Sequence, residues 1–252
     1  MLKHRVIPSL LLSNNELVKT QKFTKPKYVG DPINAIRIFN EKEVDELMLL
    51  DIDASKLGRE PNYALLEKIS SECFMPLCYG GGVTNIEQVN KLFNLGIEKV
   101  SIQTSAIKNI DVISQIANRF GSQSIVASVD IKRNWLGKKK LYLSSTKRLS
   151  DISWQNHLKI LTDAGVGEVV LNSVNHDGMM AGMDLDLIRE AAQLLPIPMI
   201  ASGGVGSLKD IQAAIQCGAS AVAVGSFFVF SGPHRAVLIT YPKYKTLEML
   251  LR

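Results

Sequence analysis

The chain has 252 residues, 46% of them apolar, so it can bury one large core and fits one barrel-sized domain better than two small ones. Its 29 lysines and arginines are mixed with 24 acidic residues, and no basic stripe laced with aromatic residues occurs, which argues against a nucleic-acid partner and favours a small anionic substrate. The three cysteines, Cys73, Cys78 and Cys217, lack paired metal spacing, so we expect buried thiols and neither a disulfide framework, a metal nor a cofactor.

Eight short apolar runs alternate with helical patterns along the chain. The apolar run in residues 1–15 lacks a small-residue cleavage site and is too short to span a bilayer, which predicts a cytoplasmic protein with no membrane partner. In chain order the runs are RVIPSLLL, ELMLLDID, MPLCYGGG, KVSIQTS, SIVASVDIK, EVVLNSV, PMIASGG and AVAVGSF. Strands that are apolar on both faces and separated by helices indicate parallel βα units. The sequence therefore predicts the α/β class, a single (β/α)8 TIM barrel over residues 1–252.

The second half of the chain resembles the first at an offset of 122 residues. Gly81-Gly82-Val83 is matched by Gly203-Gly204-Val205. The same offset relates Gly96 to Gly218, Val100 to Val222, Thr104 to Ser226 and Glu46 to Glu168. This agreement predicts two similar half-barrels, about 1–122 and 123–252.

Two glycine-rich turns each follow a strand and precede a helix, YGGGVTN at 79–85 and ASGGVGS at 201–207. Glycine lets a ligand approach the backbone, and a helix N-terminus presents free N–H groups to an anion. One βα unit after each turn a strand ends in a hydroxyl residue, in Gln103-Thr104 and in Gly225-Ser226. We expect two phosphate cradles and a substrate that is anionic at both ends; the alternative is that the glycines serve tight turns only.

The chain resembles the cyclase subunit of imidazole glycerol phosphate synthase along nearly its whole length. The resemblance is carried by GDPINAIRIFNEKEVDELMLLDIDAS (30–55), YGGGV, KVSIQTSA (99–106), FGSQSIVASVDIKR (120–133), DAGVGEVVLNSVNHDG (163–178) and IASGGVGS. It implies a substrate with two phosphates and a separate class I glutaminase, docked on the amino-terminal face of the barrel, that supplies ammonia. It also implies phosphate- or substrate-binding positions at Lys19, Gly82, Thr104, Gly204, Gly225 and Ser226.

The resemblance further implies an ammonia gate of four charged residues at the bottom of the barrel. The matching positions hold Arg5, Glu46, Lys99 and Glu168, each at the amino-terminal end of a predicted strand. Two cations facing two anions leave a polar constriction, although such a cluster can also simply plug the barrel floor. None of the three cysteines lies in a glutaminase-type nucleophile turn, so a separate partner would have to supply the ammonia.

The family pattern is broken on the catalytic face. The family closes its ring with two aspartates at the ends of strands 1 and 5, and here Asp130 is retained while position 11 is Leu; nearby, only Glu16 offers a carboxylate. Position 103 is Gln instead of Asn, and Met179 replaces a threonine. His176 is expected to be a substrate contact or a solvated loop residue, and Asp51 and Asp177 lie where they can orient substrate.

These changes beside an intact gate predict a paralogue that accepts ammonia and delivers it to another acceptor, as in the branch associated with converting a sugar acetamido group to an acetamidino group in surface polysaccharide synthesis. The retained cradles suggest a phosphorylated or nucleotide-linked acceptor, or inherited architecture. Two alternatives stay open: a genuine histidine-pathway cyclase in which Glu16 or water replaces the missing aspartate, and a non-catalytic barrel that activates its glutaminase.

Overall fold

The computed structural model describes residues 4–251; the first three residues of the predicted domain and Arg252 lie outside the described residues. Its strands are β1 (Arg5–Ser13), β2 (Glu16–Gln21), β3 (Thr24–Gly30), β4 (Leu47–Asp51), β5 (Leu77–Gly80), β6 (Lys99–Ile102), β7 (Ile125–Arg133), β8 (Lys139–Leu143), β9 (Arg148–Leu149), β10 (Glu168–Ser173), β11 (Met199–Ser202), β12 (Ala221–Val224), β13 (Phe230–Ser231) and β14 (Ala236–Val237).

The helices lie between these strands. They are α1 (Pro32–Glu41), α2 (Ala54–Leu57), α3 (Tyr63–Glu72), α4 (Ile86–Asn94), α5 (Thr104–Lys108), α6 (Asp111–Phe120), α7 (Trp154–Asp163), α8 (Leu185–Leu194), α9 (Leu208–Gln216) and α10 (Tyr244–Leu250). Short 3-10 turns cover Ser122–Ser124 and Ser226–Phe228.

Eight strands form a closed parallel barrel in the order β1, β4, β5, β6, β7, β10, β11, β12, and β12 pairs with β1 to complete the ring. Side chains such as Ile36, Phe39 and Ile69 on the helices are fully buried against the outer faces of the strands. Because both faces of each strand are covered, the strand sequences are apolar runs instead of alternating patterns. The prediction of a (β/α)8 TIM barrel is confirmed.

Each half of the barrel begins with a strand that runs on into antiparallel strands above the carboxyl-terminal end. After β1 these are β2 and β3, and after β7 they are β8 and β9. None of the eight predicted strands covers β2 and β3. Their edge strand has an exposed pattern with a proline, TKPKYVG, which the search for apolar runs does not detect.

Matching positions of the two halves have similar backbone geometry. The caps of α4 and α9, Asn85 and Ser207, are 122 residues apart and have φ/ψ values of −151°/168° and −153°/164°. Gly96 and Gly218, with φ of 90° and 105°, end those helices in the left-handed region, where a side chain would be strained.

Of the three free cysteines, only Cys78 is fully buried, while Cys73 and Cys217 are half-buried, so the expectation of buried thiols holds for one of them. The barrel strand β5 places Cys78 inside the barrel, whereas the other two lie at helix ends, where packing is less complete. Within residues 4–251, no helix combines the length and the apolar character needed to cross a membrane.

Candidate active site

A cavity of about 190 Å³ opens at the carboxyl-terminal end of the barrel. Ser101, Ser128 and Ser202 line its lower part, and the hydroxyls of Ser101 and Ser128 lie 2.8 Å apart. These serines were not predicted as site residues, although the period of two that places side chains inside a barrel indicates their positions on β6, β7 and β11. The predicted site residues among its lining are Lys19, Asp51, Gly81, Gly82, Gln103, Thr104, Asp130, Asp177, Gly203, Gly204, Gly225 and Ser226.

Asp130 is buried in the cavity wall on β7, where 7% of its surface is exposed. Gln103 donates a hydrogen bond of 2.6 Å to its carboxylate, and Ser144 donates one of 2.5 Å to the Gln103 carbonyl oxygen. Burial raises the pKa of Asp130 to about 7; the Gln103 hydrogen bond opposes this rise and the nearby Asp177 adds to it. The carboxyl group can therefore hold or release a proton near neutral pH.

Leu11 lines the same cavity at the carboxyl-terminal half of β1, four strands away from β7 around the ring. It thus stands opposite Asp130, where the family resemblance requires a second aspartate. Glu16, the suggested substitute, begins β2 opposite Ser13, is exposed, and is not among the described residues that line the cavity. Among the described residues, the β1–β2 hairpin therefore supplies no carboxylate to the cavity beside Leu11.

Asp177 supplies a second ionisable carboxylate to the cavity. Thr20 donates a hydrogen bond of 3.3 Å to its side chain, and the Lys22 amide donates one of 2.9 Å to its backbone carbonyl. Lys19, nearby on β2, is 5% exposed and donates to the Ser9 carbonyl oxygen. Burial lowers the pKa of Lys19 and raises that of Asp177, and the opposite charges of the two residues resist both shifts.

The two glycine turns are tightly packed against their surroundings. A Cβ at Gly81 would lie 2.5 Å from the Asp51 carbonyl oxygen, and one at Gly203 would lie 2.7 Å from the Asn172 side-chain oxygen. One amide of the first turn already has a partner, because the Gly82 N–H donates to the Ser55 hydroxyl at 3.2 Å. Lys19 lies by the next strand end, since a Cβ at Gly225 would be 3.0 Å from its ammonium nitrogen. Tight turns thus account for part of the glycine pattern.

Asp51 and His176 have local partners. One carboxylate oxygen of Asp51 accepts hydrogen bonds from the amides of Asp53 and Ala54, at 2.9 and 3.0 Å, at the start of α2. The His176 ring lies 2.8 Å from the Ser173 hydroxyl, and His176 is not among the described residues that line the cavity. One oxygen of the carboxylate that was expected to orient substrate is therefore engaged by amides at the start of α2, and Asp51 still lines the cavity.

The four charged residues of the expected gate form one ring at the amino-terminal end of the barrel. The Arg5 guanidinium contacts both Glu46 and Glu168, and the Lys99 ammonium lies 3.0 Å and 3.3 Å from the same two carboxylates. Each anion thus pairs with both cations. Burial alone would lower the pKa of Lys99, but the two carboxylates outweigh it and raise that pKa.

An apolar layer separates this ring from the cavity. Side chains of Ile7, Met48, Cys78, Val126, Val170 and Ile200 pack together inside the barrel, and Met48 and Val170 also form the bottom of the cavity. The charged ring and the open cavity are therefore separate layers of the barrel, with apolar side chains between them. Asn172, which the sequence analysis passed over, adds a buried side-chain oxygen without a partner beside Asp130.

These features define a TIM barrel with an ionisable cavity at one end and a charged ring at the other. Residues 5–233 match the model of the family described as histidine biosynthesis protein. A Pseudomonas aeruginosa protein provisionally named imidazole glycerol phosphate synthase subunit hisF2 is 51% identical over 99% of this chain and 100% of its own length. The Vibrio vulnificus protein provisionally named subunit hisF3 is 47% identical over 99% of this chain and 98% of its own.

A third relative, the imidazole glycerol phosphate synthase subunit HisF of Dictyoglomus turgidum, is 39% identical over 91% of each chain. The chain belongs to the HisF family, the cyclase subunits of imidazole glycerol phosphate synthase.

Proposed function

We propose that this chain is the ammonia-using subunit of a two-protein synthase whose acceptor differs from that of the histidine pathway. A class I glutaminase docks on the amino-terminal face, and ammonia enters through the ring of Arg5, Glu46, Lys99 and Glu168. The observation that carries the proposal is the pairing of this complete charged ring with a cavity above it that contains the ionisable Asp130.

The layer between ring and cavity suits ammonia as the transferred molecule. A neutral, water-sized molecule can cross the apolar side chains around Met48 and Val170, whereas an ammonium ion would lose its hydration there without a partner. Beyond this layer the serine hydroxyls can accept hydrogen bonds from ammonia. Asp130, with a pKa of about 7, then takes up the proton that the nitrogen loses when it bonds to the acceptor.

Leu11 is the reason for proposing a different acceptor. Ring closure with a general acid and a general base on opposite sides of the mouth needs a second group where Leu11 stands. Amidation of a sugar acetamido group to an acetamidino group, as in surface polysaccharide synthesis, is the example we favour. In that step the C–N bond to ammonia forms, the carbonyl C–O bond breaks, and the oxygen leaves as water with two protons that the nitrogen loses, which Asp130 can relay. The glycine turns and Lys19 are compatible with a phosphorylated or nucleotide-linked form of such a sugar.

The histidine-pathway cyclase remains the second candidate because relatives carry that name. It would need a substitute for the acid at position 11; water is one, and Asp177, already in the cavity, is another. A third possibility is a non-catalytic barrel that only activates its glutaminase. A non-catalytic barrel would give no role to the hydrogen-bonded Asp130 and its raised pKa.

Isotope transfer in the reconstituted pair tests the proposal. The chain and its glutaminase are incubated with glutamine labelled with ¹⁵N in the amide and with a small-molecule extract, and label is followed by mass spectrometry. We expect glutamine hydrolysis to rise in the presence of the chain and label to appear in an anionic acceptor. Stimulated hydrolysis with label found only in free ammonia would favour the non-catalytic barrel.

The substitution Leu11→Asp separates the first two candidates. We expect the wild-type chain to fail to complement a histidine auxotroph and Leu11→Asp to gain cyclase activity by roughly 10²–10⁴, the usual contribution of a general acid–base group. Leu11→Asn, of the same size without the charge, is the matched control. Complementation by the soluble wild-type chain would contradict the altered-acceptor proposal.

A further inference from the structure

Asp130, Gln103 and Ser144 form a chain of hydrogen bonds that crosses three elements of the fold. Asp130 lies on β7, Gln103 follows β6, and Ser144 follows β8, the strand that folds back from β7. The two bonds, of 2.6 Å and 2.5 Å, are at the short end of the range for such groups. Ser144 itself lines the cavity, so the chain runs from the cavity wall to the loop at its rim.

Chemistry assigns the direction of both bonds when Asp130 is ionised. A carboxylate only accepts hydrogen bonds, so the Gln103 amide must present its NH₂ group to Asp130. The Gln103 carbonyl oxygen then faces Ser144, and the hydroxyl must donate to it. Ser144 thereby holds the amide in the orientation that stabilises the anion.

The same three groups also satisfy a protonated Asp130. Its O–H is a donor, so a reversed Gln103 amide would accept that bond with its carbonyl oxygen and donate its NH₂ to Ser144. A hydroxyl can take either part, whereas a methyl group can take neither. We propose that Ser144 is a positioning residue that, through reversal of the Gln103 amide, matches the cavity to each protonation state of Asp130.

Other groups also face Asp130 and set the background for this pair. Asp177, from the loop after β10, repels its negative charge, and Tyr142 on β8 experiences that charge in turn. The Asn172 side chain on β10 also donates toward Asp130, and the charge of Lys19 attracts that of Asp177. Within residues 4–251 none of these groups hydrogen-bonds to Ser144, so a change at Ser144 reaches Asp130 through Gln103.

Carbon-13 NMR of the full chain labelled at the aspartate carboxyl carbons measures this directly, with Asp130→Asn identifying the signal. We expect Ser144→Ala to raise the pKa of Asp130 by roughly one pH unit, because hydrogen bonds to the charged form are the stronger ones and their loss costs the ionised state more than the protonated state. Ser144→Thr, which keeps the hydroxyl, is expected to retain the wild-type pKa. Thr146→Ala removes an exposed hydroxyl from the same loop and is expected to change nothing.

A double-mutant cycle then tests the route. Gln103→Leu is expected to raise the pKa of Asp130, and adding Ser144→Ala to that variant is expected to have no further effect. An Asp130 pKa in Ser144→Ala equal to that in Thr146→Ala, or full additivity with Gln103→Leu, would overturn the proposal.

The inference rests on the proposed function only for the use made of the proton, because the titration needs neither the glutaminase nor the acceptor. If the pKa responds as expected and isotope transfer is unaffected by Asp130→Asn, the catalytic part of the proposed function is wrong while the positioning role of Ser144 stands.

Discussion

Asp130→Asn is expected to reduce transfer of glutamine nitrogen to the acceptor by roughly 10²–10⁴, the contribution that a general acid–base group typically makes. The amide has the shape of the carboxyl group but cannot take up a proton near neutral pH. Stimulation of the glutaminase is expected to persist, because Asp130 lies at the mouth and the charged ring at the opposite end. The measurements are the ¹⁵N transfer rate and the glutamine hydrolysis rate in the same reconstituted pair.

The same substitution is expected to change stability with pH in a way that excludes unfolding as the cause of reduced nitrogen transfer. The pKa of Asp130 is raised to about 7 in the folded chain, above its ordinary value near 4, so the folded state keeps a proton that the unfolded state has released. Wild-type stability therefore falls as pH rises from about 4 to about 7. Asp130→Asn removes this loss and is expected to be more stable than wild type at pH 8, by on the order of 4 kcal/mol, and no more stable at pH 4.

Chemical denaturation of both proteins at the two pH values checks the sign. Equal stability at pH 8 would mean that the carboxylate is well solvated in the cavity, and an unchanged transfer rate would remove Asp130 from the mechanism. Thr146→Ala is the control for an unrelated substitution, because the Thr146 side chain is exposed in the loop at the rim.

Lys99→Met is expected to uncouple glutamine hydrolysis from amination. It leaves two buried carboxylates, Glu46 and Glu168, with Arg5 as their one cation in the described ring. Without Lys99 the ring loses one of the four side chains that form its constriction, so ammonia would leak or stall at the floor whether or not the remaining charges balance. More glutamine is then hydrolysed for each acceptor aminated, which the isotope assay measures as a ratio. Lys99→Arg preserves the charge and is expected to keep the coupling closer to wild type.

Stability must be separated from gating in this experiment. Removing one partner of a buried ion pair costs about 3–5 kcal/mol, and the lower end applies here because the Lys99 side chain is 21% exposed. The double variant Lys99→Met with Glu46→Gln restores the charge balance and should recover most of that loss. Uncoupling that persists in the stable double variant identifies the ring as a gate; normal coupling in it would identify a plug.

The sequence by itself determined the fold class and the places where chemistry had to lie. In a closed parallel barrel the starts of all strands lie at the same end, whatever their separation along the chain. Residues such as Arg5 and Glu168, at the starts of their strands, therefore had to lie at that end. For the same reason Asp130 and the glycine turns had to meet at the other end. Apolar runs and a repeated glycine pattern were enough for that inference.

Only the tertiary structure decided what each of these side chains does once it arrives. Asp51 accepts backbone amides at the start of α2, Glu16 is exposed, and Asp177 joins the cavity beside Lys19. The link from Asp130 to Ser144 exists because β8 folds back along β7, and nothing local in the sequence records that contact. Periodicity specifies which end of a strand a residue occupies, whereas the direction and partner of a loop side chain depend on long-range packing and burial.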